Sequence, residues 1–457
     1  MRRKEKRRIL DAINFGNELL RIIKNFFPGL LTLLNEVDDP RDTSRTKYES
    51  RAILFSRIIS AIFMYGSMRK MTTGFNNENM ILNVSKILGI EKMEDFPHYS
   101  TINNYLERLG PSELQSIIQK LTMSLLKMRF FKNRQVRDKY WQIIVDGTKL
   151  SATDEAHSEG ALFKVHKDKD GNITWVEYYY YVLEAKVFLN KELVLSICTV
   201  FCKNDEGVSP YDEVSESQEK KKQDCELKAF YRMAEELEKL FGKNRVCITA
   251  DSLYACAPVF EICRKNNWRY IIRFKEGSIK TIAEEFKKAS EEFNKTAQEK
   301  PYKYSEFTIV GGGRYGYLNA ILYKGHFLNM VRFDKKTDGD KTKYPFLFLT
   351  NLPVNRKNCA GLVVTGRNRW SIENQGFNNQ KNHGYELTHK FSLDYNAIQN
   401  HYFLIQIAHA ISQIFENEIA ILTELKMTIY AVHERIKNDF MCQIIDVQAV
   451  NLEVNSA

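Results

Sequence analysis

Residues 141–150 read WQIIVDGTKL. The uninterrupted apolar run Ile143-Ile144-Val145 is short, β-branched and closed by Asp146-Gly147, which predicts a buried strand ending in a turn. The texture changes on either side of it. Before Asp138 the apolar residues recur at helical spacing; after it come WVEYYYYVLEAKVFL and ELVLSICTVFC, two further strands rich in aromatic and β-branched residues. A charged, Ser-rich loop (Val208–Lys222) leads to a helical segment, Asp224–Phe241. RVCITAD then reads as a strand, Ala257–Asn266 as a helix and WRYIIRF as a strand. The order β-β-β-α-β-α-β predicts an α/β fold whose first three strands form a meander.

Two aspartates stand at strand ends. Asp146 closes Ile143–Val145, and Asp251 closes Val246–Ala250 before a Ser-Leu-Tyr turn. Open α/β sheets build their sites at such ends. If the strands are neighbours, both carboxylates can share a hard cation such as Mg²⁺, which prefers oxygen ligands and keeps several waters. A cap or turn role is the competing reading for each Asp alone. Glu373 lies in GRNRWSIENQGFNNQKNHGYE; on an α-helix Arg369, Glu373, Phe377 and Gln380 would share one face, with Trp370 and Ile372 packing elsewhere. A surface ion pair is the simpler reading of Arg369 and Glu373 by themselves.

Taken together, the strand ending VDGTKL, the strand ending ITADSLYA and the helix RWSIENQGFNNQKNHGY resemble the DDE transposases of bacterial insertion sequences, over roughly residues 95–415. KKQDCELKAF resembles a subgroup of them. The resemblance implies a ribonuclease H-like mixed sheet with a β-rich insertion, preceded by an all-helical DNA-binding domain. It also implies that Asp146, Asp251 and Glu373 form a catalytic triad holding two Mg²⁺ ions, with Mn²⁺ as a substitute. The partners it implies are double-stranded DNA, both element ends and target, and a second copy of the chain in a synaptic homodimer. Asp146 and Asp251 are 105 residues apart, and Asp251 and Glu373 are 122 apart. The second gap exceeds one strand and a crossover helix, and residues 277–350 supply the excess as strand-rich sequence. Two positions depart from the family's pattern: Gly366 stands where it has Tyr, and Gln380 where it has Lys, with Lys381 one place later. Expected DNA contacts are Arg369, Gln380, Lys381 and Lys275, with Tyr385 or His383 as substitutes for the missing groups. Ribonuclease H-like folds can carry a further acid on the helix after the meander, where Glu226 stands; favourable placement in a helix N-terminus is the competing reading.

Charge separates the chain into two parts. Lys and Arg outnumber Asp and Glu by 67 to 57 overall, yet residues 1–140 alone hold 25 basic against 15 acidic residues. The whole excess sits in the first third, as expected of a nucleic-acid-binding segment on a neutral body. A membrane-binding or acidic-protein-binding face competes. The arm Arg2, Arg3, Lys4, Arg7 and Arg8 is expected to add non-specific DNA affinity. Helical spacing continues around Ala52–Tyr65 and Asn83–Leu88 and in STINNYLERLG, where Ser100 reads as N-cap; the last two helices allow a helix-turn-helix reading. The expected divisions are 1–135 helical DNA-binding domain, 136–276 first part of the core, 277–350 insertion, 351–426 second part of the core and 427–457 C-terminal tail.

No apolar run reaches the roughly 20 residues of a membrane span, and Arg57 interrupts the most hydrophobic window. The eight cysteines form no CxxC pair and suit a reducing, cytoplasmic, nucleoid-associated setting. Gly311, Gly313 and Gly316 match a dinucleotide fingerprint, but the strand after them favours a glycine hairpin, in which Tyr315 and Tyr317 either pack or stack on an unpaired base. The expected function is strand cleavage and joining by a transposase. A structure-selective nuclease on the same core, or a domesticated DNA-binding regulator, are the alternatives.

Overall fold

The run Trp141–Val145 is buried at every position, so β1 (Trp141–Thr153) forms as a central strand with both faces covered. The computed structural model describes residues 3–91, 93–137, 139–158, 160–204, 208–210, 223–295, 304–309, 313–335, 345–419, 422 and 427–447. On one side β1 pairs antiparallel with β3 (Ile173–Asn190). The far edge of β3 is shared by β2 (Leu162–Lys167), on its first part, and β4 (Leu193–Cys202), on its second. On its other side β1 pairs parallel with β5 (Val246–Ala250), which pairs parallel with β6 (Arg269–Phe274). The central order is therefore β4-β3-β1-β5-β6, three antiparallel strands followed by two parallel ones. The helices α9 (Glu226–Phe241) and α10 (Ala257–Lys265) make the crossovers.

Residues 277–350 do not fold beside this sheet, as the insertion reading implies. After α11 (Lys280–Lys295), β7 (Tyr304–Ile309), β8 (Gly313–Tyr323), β9 (His326–Asp334) and β10 (Phe346–Thr350) continue the same ten-stranded sheet, with β10 antiparallel to β6. Strand-to-strand backbone pairing at the open edge of β6 accounts for this. The glycine stretch is a hairpin, with Ile309 opposite Gly313; Gly311 lies outside the described residues. Tyr315 is buried there, stacked on Phe307 at 5.5 Å and beside Phe333 at 4.8 Å, so it is not free to stack on a base.

The first third is helical: α1 (Arg3–Asp11), α2 (Phe15–Phe26), α3 (Leu30–Asn35), α4 (Ser50–Ile62), α5 (Met68–Phe75), α6 (Glu78–Leu88), α7 (Tyr99–Arg108) and α8 (Pro111–Lys127). It is not a separate body. The C-terminal half supplies α12 (Cys359–Arg367), α13 (Asn379–Asn382), α14 (Tyr395–Glu418) and α15 (Ile429–Cys442). Of these, α14 is buried almost all round, as expected of a helix enclosed by other elements. Asn400 on α14 donates to the carbonyls of Leu106 and Leu109, each at 2.8 Å. Asn83 donates to the carbonyls of Phe440 and Gln443 at 2.9 and 2.8 Å. One apolar core runs from Leu10 to Ile445. The boundary at 135 and the tail from 427 are thus not separations in the packing. The N-cap of α7 is His98, not Ser100, because the imidazole accepts from the Ser100 N–H. The helices α6 and α7 are joined by residues 89–98, longer than the 3–4 residues of a helix-turn-helix turn. Among the described residues no helix is long and apolar enough to cross a membrane.

Candidate active site

The β1–β5 register places the two aspartates. Trp141 pairs with Val246 and Ile144 with Thr249, an offset of 105 residues. Two steps further along that offset Asp146 meets Asp251, just past the end of β5. Neighbouring strands lie roughly 4.8 Å apart, so the two residues stand side by side. Asp251 also caps the following turn, its carboxylate accepting from the Leu253 N–H at 2.8 Å.

A third carboxylate approaches from the other face of β1. Successive strand residues alternate faces. Asp146 therefore shares a face with Gln142, which donates to the carbonyl of Thr365 on α12, while Gly147 faces α9. A Cβ on Gly147 would collide with the Tyr181 hydroxyl and lie 2.7 Å from Glu226 Oε1. The missing side chain is what lets Glu226, at the start of α9, reach the strand. Two phenols hold it there: Tyr181 donates to Oε1, and Tyr254 donates to Oε2 at 3.1 Å. Burial, with the nearby carboxylates, raises both hydroxyls far above their ordinary range, so they remain donors.

The Asp146 carboxyl is pushed up to about 6. Burial is the main cause; Arg369 opposes it, and the negative charges of Glu226 and Asp251 add to it. Arg369 Nη1 donates to Asp146 Oδ2 at 2.8 Å. The other carboxylate oxygen accepts from the Gly147 N–H at 3.2 Å.

Glu373 does not follow the expected α-helical face. Residues Ile372–Asn378 form a π-helical segment, closed i→i+5, which shifts the phase of everything after Arg369. Glu373 is exposed and has no ion-pair partner among the described residues, whereas Phe377 and Gln380 are fully buried. Gln380 is spent on Gln406 at 2.8 Å and His409 at 3.1 Å, so it has no surface to offer DNA. Tyr385 is buried, and His383 is tied to Asn379 at 2.7 Å. Lys381 is half-buried over the Phe377 ring, and Lys275 is exposed at the end of β6. Gly366 packs against Phe348 of β10, where a Cβ would lie 2.5 Å from a ring carbon; a tyrosine does not fit. In the N-terminal arm, Lys4 and Arg8 are exposed on α1; Arg2 and the side chains of Arg3 and Arg7 lie outside the described residues, as does the Lys220–Lys222 run.

A groove of about 510 Å³ opens beside Arg369, lined by Lys191, Phe346, Arg367, Trp370, Asn374 and Gln375 among others. A second, of about 350 Å³, shares Asn368 with it and carries Arg134 and Arg137. Neither lining includes a carboxylate.

Asp146, Asp251 and Glu226 offer only oxygen donors, the chemistry a Mg²⁺ ion prefers. Their mutual repulsion, which helps raise the Asp146 carboxyl, is what a cation relieves. Yet among the described residues no three Asp, Glu, His or Cys side chains are gathered into a ligand group. Glu226 stands across the strand from Asp146, and the positive charge in contact with Asp146 is Arg369. Sequence reading singled out the carboxylates and Arg369 but missed Tyr181, Tyr254 and Gly147. The run Glu177–Tyr181 and the Tyr of Ser252–Tyr254 carried the signal.

No protein-family model and no curated protein sequence matches the chain. Among solved structures it is similar to a piggyBac transposase synaptic complex with hairpin DNA, determined by cryo-EM. The match has 10% identity and a TM-score of 0.40, over 98% of this chain and 84% of that one. At that level of overlap, fold and site rest on their own geometry.

Proposed function

We propose that the chain is a DNA transposase with a ribonuclease H-like core, cutting strands at the ends of its element and joining the 3′-hydroxyl ends to target DNA. The observation that carries this reading is the register: Asp146 and Asp251 stand side by side where two neighbouring parallel strands of a 3-2-1-4-5 sheet end, and Arg369 of the Arg-x-x-x-Glu segment reaches Asp146. Asp146, Asp251 and Glu373 would hold two divalent cations, with Glu226 as a further acid. Bound there, Mg²⁺ supplies an activated water or 3′-hydroxyl and stabilises the departing 3′-oxygen. The chain's own groups do the rest. Tyr181 and Tyr254 fix Glu226, Arg369 and Arg367 offer guanidinium forks to backbone phosphates, and the acid-free groove keeps a polyanion from meeting like charge. The exposed basic residues of the first third set affinity and register on the duplex. Two ends must be joined together, so a homodimer is the expected working form.

The test uses full-length protein and DNA ends taken from the sequence flanking the gene. Asp146→Asn, Asp251→Asn and Glu373→Gln should each abolish cleavage while DNA binding stays within about 3-fold, since the basic helices are untouched. Cleavage without joining of paired ends would indicate a nuclease, and binding without either would indicate a regulator. Normal cleavage by one variant removes that residue from the site.

A further inference from the structure

We propose that Arg369 is a latch on the acidic site: it occupies Asp146 in the free chain and releases it when a nucleic-acid phosphate arrives. The inference rests on the cation reading above and adds its regulation.

Three observations converge. Both oxygens of Asp146 are engaged, one by Arg369 at 2.8 Å and one by the Gly147 N–H, so no oxygen is left without a donor for a cation. The pair is largely removed from water, with side-chain exposures of 17% and 20%, so it is screened far less than a surface pair. Positive charge is also in excess around it. Arg273 is half-buried, and the charge of Arg369 bears on it. Its guanidinium is held only by the carbonyls of Leu347 and Pro345, each at 3.1 Å. Arg367 shares the Phe346 ring with Arg273, at 5.1 and 5.0 Å. Neither Arg273 nor Arg367 has a carboxylate partner among the described residues. Three guanidiniums thus stand around one carboxylate, at the mouth of the groove beside Trp370.

The physical consequence is competition. A divalent cation must displace Arg369 from Asp146, and a displaced Arg369 needs another anion. A backbone phosphate in the groove is that anion. Binding of nucleic acid and binding of the cation therefore help each other, and linkage makes the effect reciprocal. The position of Arg369 favours such a swing. It lies between the end of α12 and the π-helical segment, where the helical hydrogen-bond pattern changes.

The probe is Mn²⁺ titrated into the full chain and followed by the electron paramagnetic resonance of the free ion, which reports binding without turnover. Without DNA, Arg369→Gln should bind Mn²⁺ about 10-fold more tightly than the natural chain, the loss of one charge-assisted contact. Adding a duplex from the gene's flanking DNA should tighten binding to the natural chain by a similar factor and leave Arg369→Gln unchanged. Asp146→Asn should bind weakly in every arm. Equal affinity of the natural chain and Arg369→Gln without DNA overturns the latch, as does tightening that survives Asp146→Asn. Should Arg369→Gln fail to fold, the duplex arm on the natural chain decides alone, and no tightening there overturns the proposal. Failure of the latch alongside Asp146-dependent strand cleavage leaves the transposase reading standing. A working latch with no cleavage removes that reading and not the latch.

Discussion

Asp146 and Glu184 are cross-strand partners on one face of the sheet, yet they live in opposite environments. Glu184 is fully buried and saturated. It accepts from the hydroxyls of Ser196, Thr199 (2.6 Å) and Tyr402 (2.7 Å), and Lys186 Nζ lies 3.6 Å away. The ammonium of Lys186 is itself buried and donates to Gln406 at 2.7 Å. Burial pulls its proton affinity down, while Glu184 holds it up. Asp146 has one guanidinium and one backbone N–H, two further carboxylates nearby, and a proton affinity raised by burial. The lesson is that burying a carboxylate builds structure when its lone pairs are filled, and builds a site when they are left for an exchangeable partner.

The comparison breaks most sharply at Glu184. Glu184→Gln leaves Lys186 as a buried charge without a counter-ion and turns an acceptor toward surplus donors. A loss of about 3–5 kcal/mol is expected, read from urea unfolding. A loss below about 1 kcal/mol would mean the network is no better satisfied than Asp146. At the gap between the faces, Gly147→Ala drives a methyl into the Tyr181 hydroxyl and Glu226. It should cost about 1–3 kcal/mol and release Glu226, with DNA binding retained.

The smallest effect has the opposite sign. The Asp146 carboxyl holds its proton more tightly in the folded chain, at about 6, than at its ordinary 3.8. Between those values the folded state carries more protons, so stability falls as pH rises, and the penalty is complete above the folded value. Asp146→Asn should therefore raise the melting temperature at about pH 8 by about 1–3 °C. The gain should fade below about pH 4, where the natural residue is itself neutral. A lower melting temperature at the higher pH would place Asp146 among the structural carboxylates with Glu184.

Much of this was legible in the chain. The apolar run before Asp146 and the alternation of strands and helices after it predict the central sheet, because burial on both faces demands uninterrupted apolar residues. The offset between the aspartates is a sequence number that becomes a register. Other features were not legible. The strands after residue 300 carry alternating texture but no sign of which edge they will join. The phase of Glu373 was lost because a π-helical segment cannot be told from an α-helix by composition. Gln380, polar and expected to meet DNA, is buried because Gln406 and His409 satisfy it from a helix 26 residues further on.

By itself the sequence determined the element types, the two strand-end aspartates, the basic first third and the Arg369–Glu373 segment, since local pattern and charge are properties of neighbouring residues. Only the tertiary structure decided which carboxylate is sealed and which is held in reserve. Glu184 is satisfied by hydroxyls on β4 and α14, Glu226 meets β1 only through the space that Gly147 leaves, and Arg369 reaches Asp146 across 223 residues of chain. Such assignments depend on which lone pairs find donors, and those donors are brought together by packing rather than by sequence proximity.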